Sequence, residues 1–229
     1  MFRLNSPLLK RYISNGKTCV LNQLFGENKN SRFYGSRGHS GIDINTVWGL
    51  KYRRSDKGWI KEERTELEKQ GRIPVLACHD GKTTTVLNPD KERQGWGIYV
   101  TANPYMEETT EVQYRTLYWH IETPWNSLAA FTGVIKRLVA PTVVKGQIIA
   151  IAGNNGLSTG PHLHLQLEKR KKLNGIWTAW DYIDPVPHFV DYEVLYLMDY
   201  MTSQRWFYQG KEITKAEAEK IKKTLLPVI

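Results

Sequence analysis

The run His162-Leu-His-Leu-Gln-Leu-Glu168 decides how this chain folds. Leu163, Leu165 and Leu167 take every second position, the period at which side chains of a β-strand fall on one face. His162 and His164 therefore project together from the opposite face. Similar runs, rich in β-branched and aromatic residues, recur at Thr83–Leu87, Gly97–Thr101, Gln113–His120 and Gln147–Ala152, with Gly, Asn and Pro between them. That rhythm predicts a mainly β, compact antiparallel domain. His79-Asp80-Gly81-Lys82, between two such runs, reads as a hairpin turn.

Two stretches break the rhythm. Lys51 to Gly71 is densely charged, and its part from Trp59 to Gln70 suits a short helix or a flap. Pro124 to Pro141 contains an amphipathic run, Ser127 to Leu138, that suits a helix or an ordered loop. Near the C-terminus, Thr214-Lys-Ala-Glu217 is a capping-box pattern opening a helix through Lys223. The expected organisation is a lead segment over 1–22, a main domain over 23–190 with insertions near 51–71 and 124–141, and an appendage over 191–229.

Composition excludes little and directs some. The 229 residues suffice for one well-buried domain. No stretch reaches the roughly 18–20 apolar residues of a spanning helix, and no signal peptide is visible. Cys19 and Cys78 make neither a disulfide framework nor a thiolate metal site; Cys78, in an apolar stretch, reads as a small buried thiol. A net charge of +9 favours an anionic partner, such as nucleic acid, an anionic membrane face or a phosphate-bearing cell wall. The cations are dispersed, so charge alone does not choose among these.

The six histidines carry the chemistry. His39 lies in Gly38-His-Ser-Gly-Ile-Asp43, four positions before an acid. His120 closes the strand-like Leu117-Tyr-Trp-His120. Burying four imidazoles and a carboxylate without a partner is costly, and a metal removes that cost. Two imidazoles and one carboxylate leave an open position on a tetrahedral zinc, as in catalytic sites. There is no His-Glu-x-x-His helix, so no glutamate stands ready as general base, and a histidine must take that work. His79 and His188 read as structural. Gly153, Gly156 and Gly160 around Asn154-Asn155 lack the Gly-Lys-Ser/Thr of a phosphate loop and read as a tight loop delivering His162 and His164.

Gly38-His-Ser-Gly-Ile-Asp43 and Gly156-Leu-Ser-Thr-Gly-Pro-His-Leu-His164 resemble the two signatures of the lysostaphin-like zinc endopeptidases. The resemblance runs from Gln23-Leu-Phe-Gly26 to Asp184-Pro-Val-Pro187, with Pro74 to Gly81, Tyr118-Trp-His120, Val144-Lys-Gly-Gln147 and Gly153 in order between. It implies an antiparallel fold with an open groove. It further implies one zinc ion held by His39, Asp43 and His164, with His162 and His120 as catalytic histidines. Which of the two is the base stays open, the strand shared with His164 favouring His162. Tyr118, two positions from His120, is a candidate for the groove, with ordinary packing the alternative.

The function so implied is hydrolysis of peptide bonds in bacterial peptidoglycan by a monomer acting at the wall or periplasm. A phage lysin or virion-associated antimicrobial enzyme fits the missing leader, and a processed envelope protein is the alternative. Anionic wall polymers are possible further partners. An inactive wall-binding or regulatory protein on the same fold competes, but the ligand set is complete. A nucleic-acid binder leaves the paired histidines unexplained.

Overall fold

Alternating leucines and isoleucines do most to shape the sheet. The structure is a computed structural model and describes residues 2–8, 19–31, 34–46, 53–55, 58–60, 73–87, 95–122, 142–158, 162–190, 195–198, 204–208, 211–218 and 220. Its strands, in chain order, are β1 (Cys19–Gln23), β2 (Ile42–Asn45), β3 (Arg53–Ser55), β4 (Gly58–Ile60), β5 (Pro74–Leu76), β6 (Gly81–Leu87), β7 (Trp96–Thr101), β8 (Tyr105–Glu107) and β9 (Thr110–Ile121). They continue with β10 (Thr142–Val143), β11 (Ile148–Ile151), β12 (His162–Leu173), β13 (Ile176–Trp177), β14 (Asp181–Ile183), β15 (Leu195–Met198), β16 (Gln204–Tyr208) and β17 (Lys211–Ile213).

One large sheet runs in the order β10-β6-β7-β9-β12-β2-β1-β15-β16-β17, with β8 against β9 and both β13 and β14 against β12. Its pairings are antiparallel except β1 with β15. The strands β5 and β11 form a separate ribbon. At the centre the two 12-residue strands β9 and β12 pair from Val112 and Lys171 to Trp119 and His164.

Directly opposed residues share a face, so register assigns the two sides of the sheet. Leu163, Leu165 and Leu167 lie on one side with Ile42, Ile44 and Tyr118, all fully enclosed. Each large aliphatic buried there contributes about 1.5–3 kcal/mol. The other side carries His162, His164 and Asp43 at one end of β12 and charged side chains at the other. There Arg115 lies between the rings of Tyr99 and Trp180, at 3.9 and 4.2 Å, and Arg170 between Trp180 and Trp177, at 4.4 and 4.6 Å. This ladder fastens residues 177–180 across the sheet, and Arg115 also pairs with the enclosed Glu168 at 2.6 Å.

Residues 2–8 are built into the same core. Leu4 bridges Phe189, Leu76 N–H donates to Pro7 O, and Leu4 and Leu8 are essentially inaccessible. Phe2 stacks on Tyr114 with centroids 4.4 Å apart.

Two local expectations are corrected. Trp59 and Ile60, the start of a run read as a short helix or a flap, open no helix but lie in β4, which pairs with β3 as a ribbon. Residues 61–72 and the second insertion's 124–141 lie outside the described residues. Residues 78–80 bend, but they are not a hairpin turn, because β5 pairs with β11 while β6 pairs with β7 and β10. The capping box is present: Thr214 N–H and hydroxyl donate to Glu217, and Glu217 N–H donates back to Thr214 Oγ, opening the helical residues 215–218. Among the described residues no helix is long and apolar enough to cross a membrane.

Candidate metal centre

The metal-centre face is assembled by three adjacent strands. In the register, Asp43 of β2 stands directly opposite His164 of β12, which on its other side faces Trp119 of β9. His39 arrives from the loop before β2. Glycines on either side of it make that approach possible. Gly38 has φ +74°, and a Cβ there would lie 2.4 Å from Gly26 O. A Cβ on Gly41 would lie 2.3 Å from Leu165 O and 3.0 Å from His164 Nε2.

Three side-chain atoms converge. His39 Nε2 lies 2.9 Å from His164 Nδ1, His164 Nδ1 lies 2.9 Å from Asp43 Oδ1, and His39 Nε2 lies 3.2 Å from Asp43 Oδ1. Ligand atoms on a tetrahedral zinc with bonds of roughly 2.0–2.1 Å are about 3.3 Å apart, so the set fits the ion with little adjustment. The outer hydrogen bond fits too: His39 Nδ1 donates to Leu24 O at 3.2 Å, leaving Nε2 bare toward the other two atoms. Among the described residues this is the group of His, Asp, Glu or Cys side chains arranged to hold an ion. Burial alone would raise Asp43, but hydrogen bonding to His164 and His39 holds its carboxylate well below the usual range. Burial pushes His164 down, against the pull of Asp43. Both shifts favour an ionised Asp43 and a neutral His164, the states a metal requires of these two groups.

Beside this trio stand the other two expected histidines. Simple alternation would send His120 to the core face with Tyr118. Instead β9 holds an extra residue at this step, with Trp119 opposite Gly97 and Ile121 opposite Trp96. His120 is that residue, and its φ of +60° turns the side chain back toward the metal-centre face. Its ring reaches 4.5 Å from His162 and 6.1 Å from His164 between centroids. The loop after β11 holds the bulge: Gly153 N–H donates to His120 O at 2.9 Å, and His120 Nδ1 donates to Asn155 O at 2.6 Å. His120 is lowered to about 4, chiefly by burial and further by His162 and His164. His162 is held at Nδ1 by Ser158 Oγ, 3.1 Å away, while its Nε2 lies 3.6 Å from Asp43 Oδ2.

Tyr118 is a correction. It is fully enclosed, its hydroxyl accepting Cys78 N–H at 2.6 Å and hydrogen-bonding Thr116 Oγ1 at 3.1 Å. It belongs to the core and lines no groove, because the bulge after it reorients His120 alone. His79 and His188 are structural, bonded to Thr116 Oγ1 and Phe2 O, and Cys78 is a buried thiol. Sequence reasoning passed over Asn155, Ser158 and Tyr34, whose ring meets His39 edge-on at 5.2 Å. Asn155 sat in the glycine-rich loop already noted, but it acts through its backbone carbonyl, which residue type does not reveal.

No family model matches the chain. A curated relative, an uncharacterized metalloprotease of Haemophilus influenzae, is 37% identical over 95 residues, which is 41% of this chain and 15% of that protein. A zinc-containing peptidase of Vibrio cholerae has a TM-score of 0.41 at 21% identity, covering 72% of this chain and 36% of that one. The catalytic domain of the antimicrobial peptidase lysostaphin from Staphylococcus simulans has a TM-score of 0.36 at 18% identity, covering 73% and 89%. The chain thus spans a small part of the curated relative and about a third of the Vibrio protein. Its two motifs resemble those of the lysostaphin-like zinc metallopeptidases.

Proposed function

We propose that the protein is a zinc-dependent peptidase that hydrolyses peptide bonds of bacterial peptidoglycan. One observation carries this reading. His39 Nε2, Asp43 Oδ1 and His164 Nδ1 meet within 3.2 Å of one another, with two further imidazoles alongside that belong to no ligand set. A structural metal site closes its fourth position with another side chain, whereas three ligands beside non-ligating histidines suit hydrolysis. A bound zinc ion supplies Lewis acidity, lowering the pKa of water and polarising a carbonyl.

The chain's own groups divide the proton work. His120 donates Nδ1–H to Asn155 O, so Nε2 carries the free lone pair, on a ring whose centroid is 6.1 Å from that of His164. That orientation suits a general base, which moves the role from His162 to His120. His162, with Nε2 3.6 Å from Asp43 Oδ2, is left to hydrogen-bond the developing oxyanion or deliver a proton to the leaving amine. The basic character of the chain supports attraction to anionic wall polymers. A lysin or virion-associated role rests on that same chemistry and is the setting we favour.

Purified sacculi incubated with the protein should release new amino termini. A chelator should stop the release and added zinc restore it, with mass spectrometry of the soluble muropeptides identifying the bond. Undiminished release from metal-free protein would overturn the proposal.

A further inference from the structure

The two cationic rungs of the aromatic ladder are alike in stacking and unlike in charge. Arg115, between Tyr99 and Trp180, donates from Nε and Nη2 to the carboxylate of Glu168 at 2.8 and 2.6 Å. Arg170, between Trp180 and Trp177, meets an amide instead, its Nε and Nη2 both donating to Gln113 Oε1. Among the described residues no carboxylate pairs with Arg170. Burial and the neighbouring Arg115 both pull it below its ordinary value, so this partly exposed cation stands where a counterion would be favoured. A guanidinium has five N–H donors in one plane, and Gln113 takes two. One N–H on Nη1 and the second on Nη2 form the parallel pair that fits a carboxylate end-on. Holding residues 177–180 in place accounts for the stacking but not for a cation left without an acid.

The same side of the sheet leads back to the metal centre. Register places His164, Gln166, Glu168 and Arg170 on one face of β12, opposite Trp119, Leu117, Arg115 and Gln113 of β9. The rings of Trp119, Tyr99, Trp180 and Trp177 are partly exposed along this path. A Cβ on Gly97, opposite Trp119, would lie 2.1 Å from the indole, so that ring rests directly on β7. On this face β6, β9 and β12 present Lys82, Arg115, Arg170 and Lys172 against Glu111 and Glu168, an excess of cations. From His164 to Arg170 the strand spans about 20 Å, at roughly 3.3 Å per residue.

We propose that Arg170 is a substrate-binding residue, its Nη1–H and Nη2–H donating to the two oxygens of a free carboxylate on a wall peptide whose scissile bond lies at the metal centre. The proposal rests on the peptidase reading above. Because the two places are about 20 Å apart, the contact favours large cross-linked fragments over short peptides, which occupy only one of them.

The test measures KM and kcat of the wild type, Arg170→Gln and Arg170→Lys on dye-labelled sacculi and on a short soluble peptide carrying the bond found in the released muropeptides. Glutamine keeps a planar group between the indoles, and lysine keeps the charge without the fork. Sacculi are used untreated, with carboxylates amidated through a carbodiimide, and with phosphate polymers stripped by acid. On untreated sacculi both variants should raise KM, Arg170→Gln by about tenfold to a hundredfold, with kcat and zinc content held. The effect on the short peptide should be smaller by about tenfold or more. Amidation should raise the wild-type KM to that of Arg170→Gln, and phosphate stripping should leave it unchanged. A wild-type KM in Arg170→Gln, an equal loss on the short peptide, or a response to phosphate stripping in place of amidation would overturn this assignment and leave the peptidase reading intact. A wild type that releases no amino termini from untreated sacculi would overturn the peptidase reading, and this assignment with it.

Discussion

His120 occupies a backbone conformation that histidine seldom adopts, and the structure around it accounts for the exception. The extra residue in β9, the φ of +60° and the clasp from Gly153 and Asn155 act together to bring one imidazole across the sheet. Replacing it by alanine should leave metal content intact while lowering turnover by about 10²–10⁴, the usual weight of a positioned base. Equal loss of metal would mean it is a ligand. Gly41 offers a second check on the same scale. A Cβ there collides with the β12 backbone at 2.3 Å, so Gly41→Ala should lower the thermal midpoint and weaken metal binding together. A Gly41→Ala protein with wild-type midpoint and zinc content would contradict the packing described. The residue types of the site were legible in the sequence because His39, Asp43, His162 and His164 lie within short motifs of fixed spacing. The carbonyls of Leu24 and Asn155 were not legible, since any residue type supplies a carbonyl and only the fold says where it points.

At the scale of elements, strand period served well wherever one face was apolar. β12 alternates Leu163, Leu165 and Leu167 against polar neighbours, and its partners follow the same rule. Alternation failed at the end of β9, where a bulge just after the inward Tyr118 turns His120 to the opposite face. It also failed at residues 78–80, because partner choice between strands depends on contacts distant in sequence. The sheet's far end makes its own predictions. Glu168 is enclosed and ion-paired with Arg115, so Arg115→Ala strands a buried carboxylate and should cost about 3 kcal/mol in urea unfolding. A cost below about 1 kcal/mol would show that Gln166 and Tyr99 already satisfy it. Burial would raise Glu107, but hydrogen bonds from Lys169, Tyr105 and Tyr114 hold it at about 2. Because the folded value lies below the unfolded one, near 4.5, this stabilisation is complete above that pH. It is lost as pH falls from about 4.5 toward 2. Glu107→Gln should therefore flatten the acid limb of the stability curve over that interval, and an unchanged limb would assign it to other carboxylates.

Across the whole molecule, the first residues of the chain and the segment around Phe189 close the core together, although they lie at opposite ends of the main domain's sequence. Such long-range closure is invisible to local pattern, which is why residues 2–8 read as a lead segment. Leu4→Ala should cost about 2–5 kcal/mol if that docking is as tight as its burial indicates. The sheet brings the side-chain atoms of His39, Asp43 and His164 together at one end of β12, with the imidazoles of His120 and His162 beside them, and the rest of the account depends on that arrangement holding an ion. Metal analysis of the purified wild type, His39→Ala and His162→Ala proteins tests it most directly. About one zinc per chain is expected in the wild type and in His162→Ala, and almost none in His39→Ala. Zinc retained by His39→Ala, or lost equally from His162→Ala, would contradict it.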